Sequence, residues 1–245
     1  MINIEEMYHE YLLDESSKHK EKYVNYENWF SASSAGSCHR KQWYKINNYE
    51  ETPHAIRPLR VMRLGTLVHQ DIERAIEFYK NKHSDVFDDK KVKLYSEHRI
   101  ELPDINVVGH LDIAVFANKL YVYDLKTAHS FKWKKIFGRN VDPKPSVNYQ
   151  LQLGTYALGL MSEIDQFVKD DESLELGLIW YKKDDSVIKT QLIDTAWVDN
   201  ALFYWIELNE SLENDKVPEV GDYNTPVYNW ECKYCPYHKI HCKGV

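Results

Sequence analysis

Apolar residues recur at helical or strand spacing along most of the chain, and this pattern predicts the order of its elements. The first thirty residues are predicted to be helical from the spacing of Tyr8, Tyr11 and Leu12. The serine-rich run at 31–38 then supplies N-cap residues for a second helix, which passes through Trp43. Two helices are therefore expected before the first long loop.

Pro53 and Pro58 predict that loop, and a longer amphipathic helix follows it. Its apolar stripe is expected to pack against the core and consists of Leu64, Leu67, Val68, Ile72, Ala75, Ile76 and Tyr79. Segments rich in Val, Ile and Tyr predict five strands, at 97–102, 107–116, 120–127, 176–182 and 187–193. Short turns separate the second strand from the third at 117–119 and the fourth from the fifth at 184–186.

Two more helices are predicted, over 147–161 and 198–212. Helices alternating with strands in this order indicate an α/β domain with a mixed sheet. A length of 245 residues fits one domain with terminal elaborations. We therefore expect a single domain over 1–245, with an N-terminal helical part at 1–63 and a C-terminal helix plus cysteine-rich segment at 198–245.

Composition excludes several protein classes. Hydrophobic residues make up 43% and charged residues 28%, which is close to average globular usage and excludes a fibrous, collagen-like or wholly disordered chain. No stretch approaches 18 consecutive apolar residues, and the N-terminal segment has no apolar core. Neither a membrane span nor a secretory signal is predicted, so we expect a cytoplasmic location in a prokaryotic cell, or in the host cell if the gene is viral.

Charge is distributed unevenly along the chain. The net charge of −7 argues against a nucleic-acid partner, because phosphate binding relies on Lys and Arg. However, the segment 31–70 has six basic residues against two acidic ones, and 119–144 has seven against two. These two segments can hold a polyanion locally. The alternative is ordinary solvated surface charge.

The four cysteines are too few for a disulfide-rich scaffold. Cys232, Cys235 and Cys242 crowd the C-terminal end, whereas Cys38 stands near the N-terminus. A Cys-x2-Cys turn presents two thiolates to one metal site, and four soft sulfur ligands suit zinc or an iron–sulfur cluster. The alternative is a pair of buried thiols with two unrelated cysteines.

The predicted hairpin carries the strongest candidate chemistry. A three-residue turn centred on Asn118 places Asp112 directly opposite Asp124, and alternation puts Lys126 on the same face. Two opposed carboxylates repel each other, which indicates a cation between them, and oxygen ligands favour Mg2+ or Mn2+. Lys126 would then bind or deprotonate an attacking water. The alternative is a solvated strand face with an Asp–Lys pair.

The other face of this hairpin is expected to be apolar and to pack under a helix. It consists of Leu111, Ile113, Val115, Tyr121, Tyr123 and Leu125. Elsewhere, His69 lies at the edge of an apolar helical stripe, and Gln152 and Tyr156 share one helix face. Taken singly, these three would be an ordinary core histidine and ordinary helix-surface residues.

Four short motifs occur together in the chain: GTLVH at 65–69, GHLD at 109–112, DLKT at 124–127 and QLGTY at 152–156. In order and approximate spacing they resemble the RecB-like branch of the PD-(D/E)XK nucleases. The cysteine pattern is similar to the iron–sulfur members, which include the AddB nuclease domain, the CRISPR spacer-acquisition nuclease and phage exonucleases. The resemblance covers Ser31 to Cys242, and it departs in having six residues between the last two cysteines, where five are expected.

This resemblance implies a restriction-endonuclease-like core, a central mixed sheet flanked by helices, with the N- and C-termini joined by a cysteine-ligated metal cluster. It further implies one or two Mg2+ or Mn2+ ions and assigns four ligands: His69, Asp112, Asp124 and the carbonyl of Leu125. Lys126 would be the catalytic lysine. Gln152 and Tyr156 would lie near the scissile phosphate or help to hold that lysine, and Glu97 would be an accessory acid.

The cysteines would hold a 4Fe-4S cluster, with Zn2+ as the alternative; they are Cys38, Cys232, Cys235 and Cys242. The implied activity is that of a DNA exonuclease acting on single strands or free ends in recombination, repair or phage DNA metabolism, with a recombination or helicase protein as partner. The alternatives are a nuclease of CRISPR spacer acquisition, a non-catalytic DNA-binding or assembly subunit, and a zinc-stabilised structural protein.

Phosphate contacts are expected from the two basic segments, at Arg40, Arg57, Arg60, Lys132, Lys134 and Lys135. Trp43 and Trp133 lie beside them in sequence and are candidates for stacking on unpaired bases, with a core role as the alternative for both.

Overall fold

A six-stranded mixed sheet forms the centre of the fold. The computed structural model describes residues 3–21, 28–52, 56–88, 92–142, 144–164 and 173–244. The strands are β1 (Phe30–Ser31), β2 (Lys93–Leu102), β3 (Val107–Phe116), β4 (Leu120–Ala128), β5 (Leu174–Lys182) and β6 (Ile188–Ile193). The helices are α1 (Ile4–Glu21), α2 (His39–Ile46), α3 (Ile56–Lys82), α4 (Ser84–Asp88), α5 (Ser130–Phe137), α6 (Val147–Glu163) and α7 (Trp197–Glu213). The predicted α/β fold with a mixed sheet flanked by helices is thus confirmed.

Strand β3 has different neighbours along its two edges. On one edge it pairs antiparallel with β2 over its whole length. On the other edge it pairs with β4 only from Ile113 to Phe116, and with β1 in parallel at Val107 and Val108. Strand β4 meanwhile continues in parallel with β5 as far as Ala128. The pairing of β3 with β4 therefore ends at Ile113. Nearer the start of β3, the short β1 pairs with the edge of β3 that β4 no longer occupies.

The predicted hairpin register is confirmed, because Ile113 pairs with Tyr123 and Phe116 with Leu120. Asp112 and Asp124 are the next pair in this register, and they lie where the ladder ends. The backbone N–H of Leu125 donates instead to the Asp112 side chain, at 2.6 Å from Oδ2. The two acids thus stand at the fork between β3 and β4, where the hydrogen bonds between these two central strands end.

The expected apolar face of the hairpin was wrong in part. Leu111 and Leu125 are buried, but the four residues nearer the turn are only partly buried: Ile113, Val115, Tyr121 and Tyr123. The core instead takes Leu120 and Val122, which alternate onto the same face as Asp124. Because α6 covers that face of the sheet, the Asp124 side chain is only 1% exposed.

The apolar stripe predicted for α3 does not enter the core. Leu64 is 55% exposed and Leu67 is 47% exposed, and Tyr79 is likewise exposed. The helix also begins earlier than predicted, so that Pro58 lies in its first turn. Proline is tolerated there because the backbone N–H groups of the first turn make no hydrogen bonds within the helix. Periodicity predicted the helix correctly, but it could not show whether the apolar side of the helix packs against the core.

Helices α6 and α7 form the layer over the sheet, and glycines allow their close approach. A Cβ added at Gly159 would lie 2.7 Å from the Ile100 side chain, and one added at Gly154 would lie 2.1 Å from the Trp197 carbonyl oxygen. Trp205 Nε1 donates to Thr155 Oγ1 across the same interface, at 2.9 Å. None of the described helices combines the length and apolar character needed to cross a membrane.

We expect Gly154→Ala to lower the free energy of unfolding by about 1–3 kcal/mol, because a backbone carbonyl cannot move aside as a flexible side chain can. Gly65→Ala is the matched control, since this helical glycine has only Thr127 Oγ1 nearby, at an ordinary 3.5 Å. At that position the better helix propensity of Ala should raise the free energy of unfolding by about 0.5–1 kcal/mol. Urea unfolding measures both changes, and equal effects of the two substitutions would contradict the packing argument.

Candidate active site

An open cleft of about 820 Å³ lies between α3 and the fork of the sheet. His69 and Glu73 line it from α3, Asp112 from β3 and Tyr156 from α6. Several segments that are far apart in sequence therefore place polar side chains in one cavity. Such a concave site with convergent polar groups is the usual form of a binding or catalytic site.

Asp124 and Lys126 form a buried ion pair at the fork, beside Asp112. Lys126 Nζ lies 2.6 Å from Asp124 Oδ2, and the lysine side chain is only 13% exposed. Apart from this contact, neither oxygen of Asp124 accepts a hydrogen bond from the described residues. Buried carboxylates are normally well hydrogen-bonded, so Asp124 has unused acceptor capacity.

The charges of the site perturb one another strongly. Burial and the adjacent Asp112 raise the pKa of Asp124 to about 7, and Lys126 offsets this only in part. Burial disfavours the ammonium of Lys126, but the attraction of Asp124 and Asp112 outweighs it, so its pKa is raised. The two carboxylates thus share one buried ammonium, and the surplus negative charge is the electrostatic condition that a cation relieves.

His69 approaches the fork from α3. Its Nδ1 lies 3.6 Å from Asp112 Oδ1. Burial opposes the charged ring, but Asp112 outweighs it and raises the pKa of His69. In return, His69 and Lys126 lower the pKa of Asp112 despite its burial. The His69 ring must release its proton before it can bind a cation.

Gln152 and Tyr156 are joined on α6, where Gln152 Nε2 donates to Tyr156 Oη at 2.7 Å. Tyr156 lines the cleft. The aromatic ring beside the lysine belongs instead to Tyr149, whose centroid lies 5.0 Å from Lys126 Nζ. Tyr149 precedes Gln152 by three residues, so helix-face reasoning could have found it.

Glu97 faces the same cleft from β2, in the register position opposite Asp112, and has φ 48. Desolvation in the cleft and the neighbouring carboxylates of Glu73 and Asp112 raise the pKa of Glu97 to about 7. Sequence reasoning missed Glu73, although it follows His69 by four residues on the same helix face. Together these acids add further oxygen donors to the cleft.

The predicted ligands share one region without forming a finished ion site. Among the described residues, no three His, Cys, Asp or Glu side chains stand close enough together to hold a metal ion. The donor types nevertheless fit a hard divalent cation, because Asp112 and Asp124 supply oxygen and His69 supplies an imidazole. The buried carboxylate of Asp124, which has acceptor capacity left beside its contact with Lys126, is the observation that supports this fit most directly.

Two of the predicted DNA-contacting arginines already have partners inside the protein. Arg40 Nη2 lies 2.6 Å from Glu219 Oε2, and its side chain is 16% exposed. Arg60 Nη2 lies 2.9 Å from Glu5 Oε1 and so links α3 to α1. The side chain of Arg57 lies outside the described part of the chain.

The predicted lysines lie on α5, an element that the sequence pattern missed. Lys132 turns inward, with Nζ 2.7 Å from Tyr149 Oη. Lys134 is exposed, and Lys135 Nζ lies 3.5 Å from Asp142 Oδ2. Trp43 is buried in a small cluster with Tyr44 and Tyr237, and Trp133 is partly buried against the main core. The core alternative for both tryptophans is therefore the better description.

All four cysteines line one small cavity between α2 and the C-terminal segment. The other three follow Cys38 by more than 190 positions in the sequence. Burial raises the pKa of the Cys38 and Cys235 thiols. Two N–H groups approach Cys242 Sγ, from the Gly244 backbone at 3.3 Å and from Arg40 at 4.0 Å. The fold thus brings Cys38 close to the three C-terminal cysteines, as the resemblance implied, and the all-sulfur donor set fits soft metals.

Comparison with known proteins agrees with this geometry. The sequence model of the PD-(D/E)XK nuclease superfamily matches residues 75–242. The fold is similar to the crystal structure of SSO0001, at 19% identity and a TM-score of 0.58, over 98% of both chains. A crystal structure of an alkaline exonuclease from Laribacter hongkongensis is 15% identical, with a TM-score of 0.47, over 80% of this chain and 93% of that chain.

No curated protein sequence matches the chain. The superfamily match nonetheless extends over well more than half of it, from within α3 through both acids of the fork to the last cysteine. The predicted superfamily is thereby confirmed: the chain belongs to the PD-(D/E)XK nuclease superfamily.

Proposed function

We propose that this protein is a metal-dependent deoxyribonuclease, an exonuclease that hydrolyses phosphodiester bonds in single strands or at DNA ends. The observation that carries the proposal is the buried Asp124–Lys126 pair beside Asp112 at the fork of β3 and β4. A surplus of buried carboxylate charge next to an open cleft serves no packing purpose and costs stability. It does suit a site that binds a cation and a phosphate.

Each residue of the fork has a role in this proposal. Asp112, Asp124 and His69 would hold Mg2+ or Mn2+, together with the carbonyl of Leu125. When bound, such an ion supplies charge stabilisation for the phosphate and lowers the pKa of a coordinated water. The oxygen of an attacking water would form the new bond to phosphorus as the bond to the leaving 3′ oxygen breaks. The proton that this water loses would pass to solvent in the open cleft, and the 3′ oxygen would take up a proton from the same solvent.

Lys126 acts in its charged form. Because its pKa is raised, it is an ammonium at neutral pH and donates hydrogen bonds to an oxygen of the phosphate or to the attacking water. Tyr149 covers one side of this ammonium, and Tyr156, which accepts a hydrogen bond from Gln152, lines the cleft. These side chains keep Lys126 directed at the reacting group, while Glu97 is an accessory acid at the edge of the cleft.

DNA contacts outside the cleft are proposed for Lys134, which is exposed on α5, and for Lys135, whose side chain is 40% exposed and has only a long 3.5 Å contact with Asp142. Arg40, Arg60 and Lys132 contribute less, because their charges are already used in contacts within the protein. Recombination, repair and phage DNA metabolism are the settings in which such an enzyme would act, with a recombination or helicase protein as partner. The role in CRISPR spacer acquisition uses the same site and is the alternative.

We further propose that Cys38, Cys232, Cys235 and Cys242 hold a 4Fe-4S cluster. Their shared cavity supports this proposal. Four cysteine thiolates are the usual ligand set of a 4Fe-4S cluster, and Zn2+ is the alternative that the same donors would fit.

Purified protein incubated with end-labelled single- and double-stranded DNA tests the proposed function. We expect stepwise loss of nucleotides with Mg2+ or Mn2+ and none with EDTA. DNA binding without cleavage under any of these conditions would reject the enzyme and favour the non-catalytic DNA-binding or assembly subunit.

We expect His69→Ala to raise the Mn2+ concentration for half-maximal cleavage at least about tenfold, because one ligand is lost while the two carboxylates remain. Excess Mn2+ should restore part of the activity. His83→Ala is the matched control, since His83 follows the end of the same helix and lies outside the cleft. An unchanged metal dependence of His69→Ala would remove His69 from the ligand set.

A further inference from the structure

We propose that the start of α5 and the turn between β5 and β6 form a binding site for an unpaired DNA strand next to the cleft. Phe131 is the stacking platform for a base, and Lys183 contacts the adjoining phosphate. This inference rests on the proposed function, and it specifies where the strand lies outside the catalytic fork.

Phe131 is an exposed aromatic residue close to the catalytic strand. It is 67% exposed and is the second residue of α5, five residues after Lys126. The His129 ring stacks beside it, with centroids 6.4 Å apart and an interplanar angle of 29°. Lys135 Nζ lies 5.2 Å from its centroid. Open aromatic faces next to a cation are the features on which unpaired bases stack.

Lys183 brings a positive charge to the cleft itself. It lines the cleft together with Asp112 and Thr127. Its backbone N–H donates to the Ala128 carbonyl at 2.8 Å, which holds the end of β5 beside the end of β4. Within the described ranges its ammonium has no ion-pair partner. A lysine in this state is available to a phosphate group.

Direct hydrogen bonds hold the two candidates in one surface. Asp184 Oδ2 accepts from the Ser130 backbone N–H at 2.6 Å and from Ser130 Oγ at 2.9 Å. Ser130 adjoins Phe131, and Asp184 adjoins Lys183, so this clamp fixes the platform next to the cleft. The clamp also engages the Asp184 carboxylate at the start of α5, where the helix dipole offsets its charge.

The surrounding surface has the charge that a phosphate backbone requires. The segments 130–142 and 182–189 carry six lysines and one arginine against three acidic residues: Lys132, Lys134, Lys135, Arg139, Lys182, Lys183 and Lys189 against Asp142, Asp184 and Asp185. This excess is local in a protein of net charge −7. Bases in a duplex are stacked on one another within the helix, so an aromatic platform selects an unpaired strand.

Fluorescence anisotropy in EDTA tests the inference with a labelled thymidine oligonucleotide, which cannot be cleaved under these conditions. We expect Phe131→Ala to weaken binding roughly 5- to 100-fold. An abasic oligonucleotide of the same length should bind Phe131→Ala and the unchanged protein equally, because the platform contacts only bases. Phe78→Ala is the matched control, since Phe78 is also 67% exposed and has Lys82 near its ring, but lies on α3.

Lys183→Ala should weaken the binding of both oligonucleotides and reduce the slope of log affinity against log salt by about 0.7, the value for one phosphate of a single strand. Lys216→Ala, on the exposed segment after α7, should change neither. If the unchanged protein cleaves DNA but Phe131→Ala binds the oligonucleotide as tightly as Phe78→Ala, this inference is overturned and the proposed function stands. Absence of both cleavage and binding in the unchanged protein would overturn the inference and the proposed function together.

Discussion

Lys126→Ala is expected to slow DNA cleavage by about 10²- to 10⁴-fold, because the ammonium that acts on the phosphate and the attacking water is removed. Excess Mn2+ should not restore this loss, in contrast to the loss in His69→Ala. Single-turnover cleavage of end-labelled DNA measures the effect. Lys119→Ala is the matched control, since Lys119 lies at the other end of the same hairpin and pairs with Glu175 on the surface.

The same substitution also bears on stability, and this must be separated from catalysis. Lys126 is the only cation paired with Asp124 among the described residues, so its removal leaves a buried carboxylate without a counter-charge. We expect the free energy of unfolding to fall by about 3–5 kcal/mol. The uncharged double variant Asp124→Asn/Lys126→Met should recover much of that stability and remain inactive. Wild-type cleavage by Lys126→Ala would show that the fork is not the catalytic site.

Cys38→Ala is expected to remove the broad visible absorption of a cluster, near 400 nm, and to lower the Tm in the same step. The cysteine ligands would close a loop of nearly the whole chain, and the chain-entropy estimate for so long a closure is about 5 kcal/mol. Metal–thiolate bonds add free energy that only the folded state gains. Loss of nuclease activity should follow as a consequence of unfolding.

Absorption spectra, iron and zinc analysis and thermal unfolding of the same samples test this result. Cys235→Ala should reproduce it, because both thiols line the same cavity. If the purified protein is colourless and contains zinc, the cysteines hold Zn2+ and the proposed 4Fe-4S cluster is rejected. A Cys38→Ala protein with its full iron content and an unchanged Tm would show that Cys38 is not a ligand.

Local features of the chain were predictable from the sequence because they depend on residues near one another. The register of the hairpin follows from the short turn at 117–119, which leaves the two strands no other way to pair. This register placed Asp112 and Asp124 side by side and Lys126 on the same face. Helix spacing likewise predicted that Gln152 and Tyr156 are adjacent, and the structure joins them by a hydrogen bond.

Features that depend on distant segments were decided by the tertiary structure. The sequence could not show that β3 and β4 diverge at Asp112. The strand that pairs with β3 beyond that point is β1, and its two residues, Phe30–Ser31, lie far from β3 in the chain. Equally, no local pattern shows that Arg40 faces Glu219 or that Arg60 faces Glu5. The sequence therefore could not show which of its basic side chains already have acidic partners within the protein.

The sequence by itself determined the α/β order of elements, the acids and lysine of the fork, and the four thiols, since periodicity, turn chemistry and residue type are local properties. The tertiary structure alone decided that α6 covers the Asp124 face, that the apolar stripe of α3 stays exposed, and that Lys183 joins the cleft. The physical reason is that burial and charge pairing depend on which surfaces meet, and those surfaces belong to segments far apart in the chain.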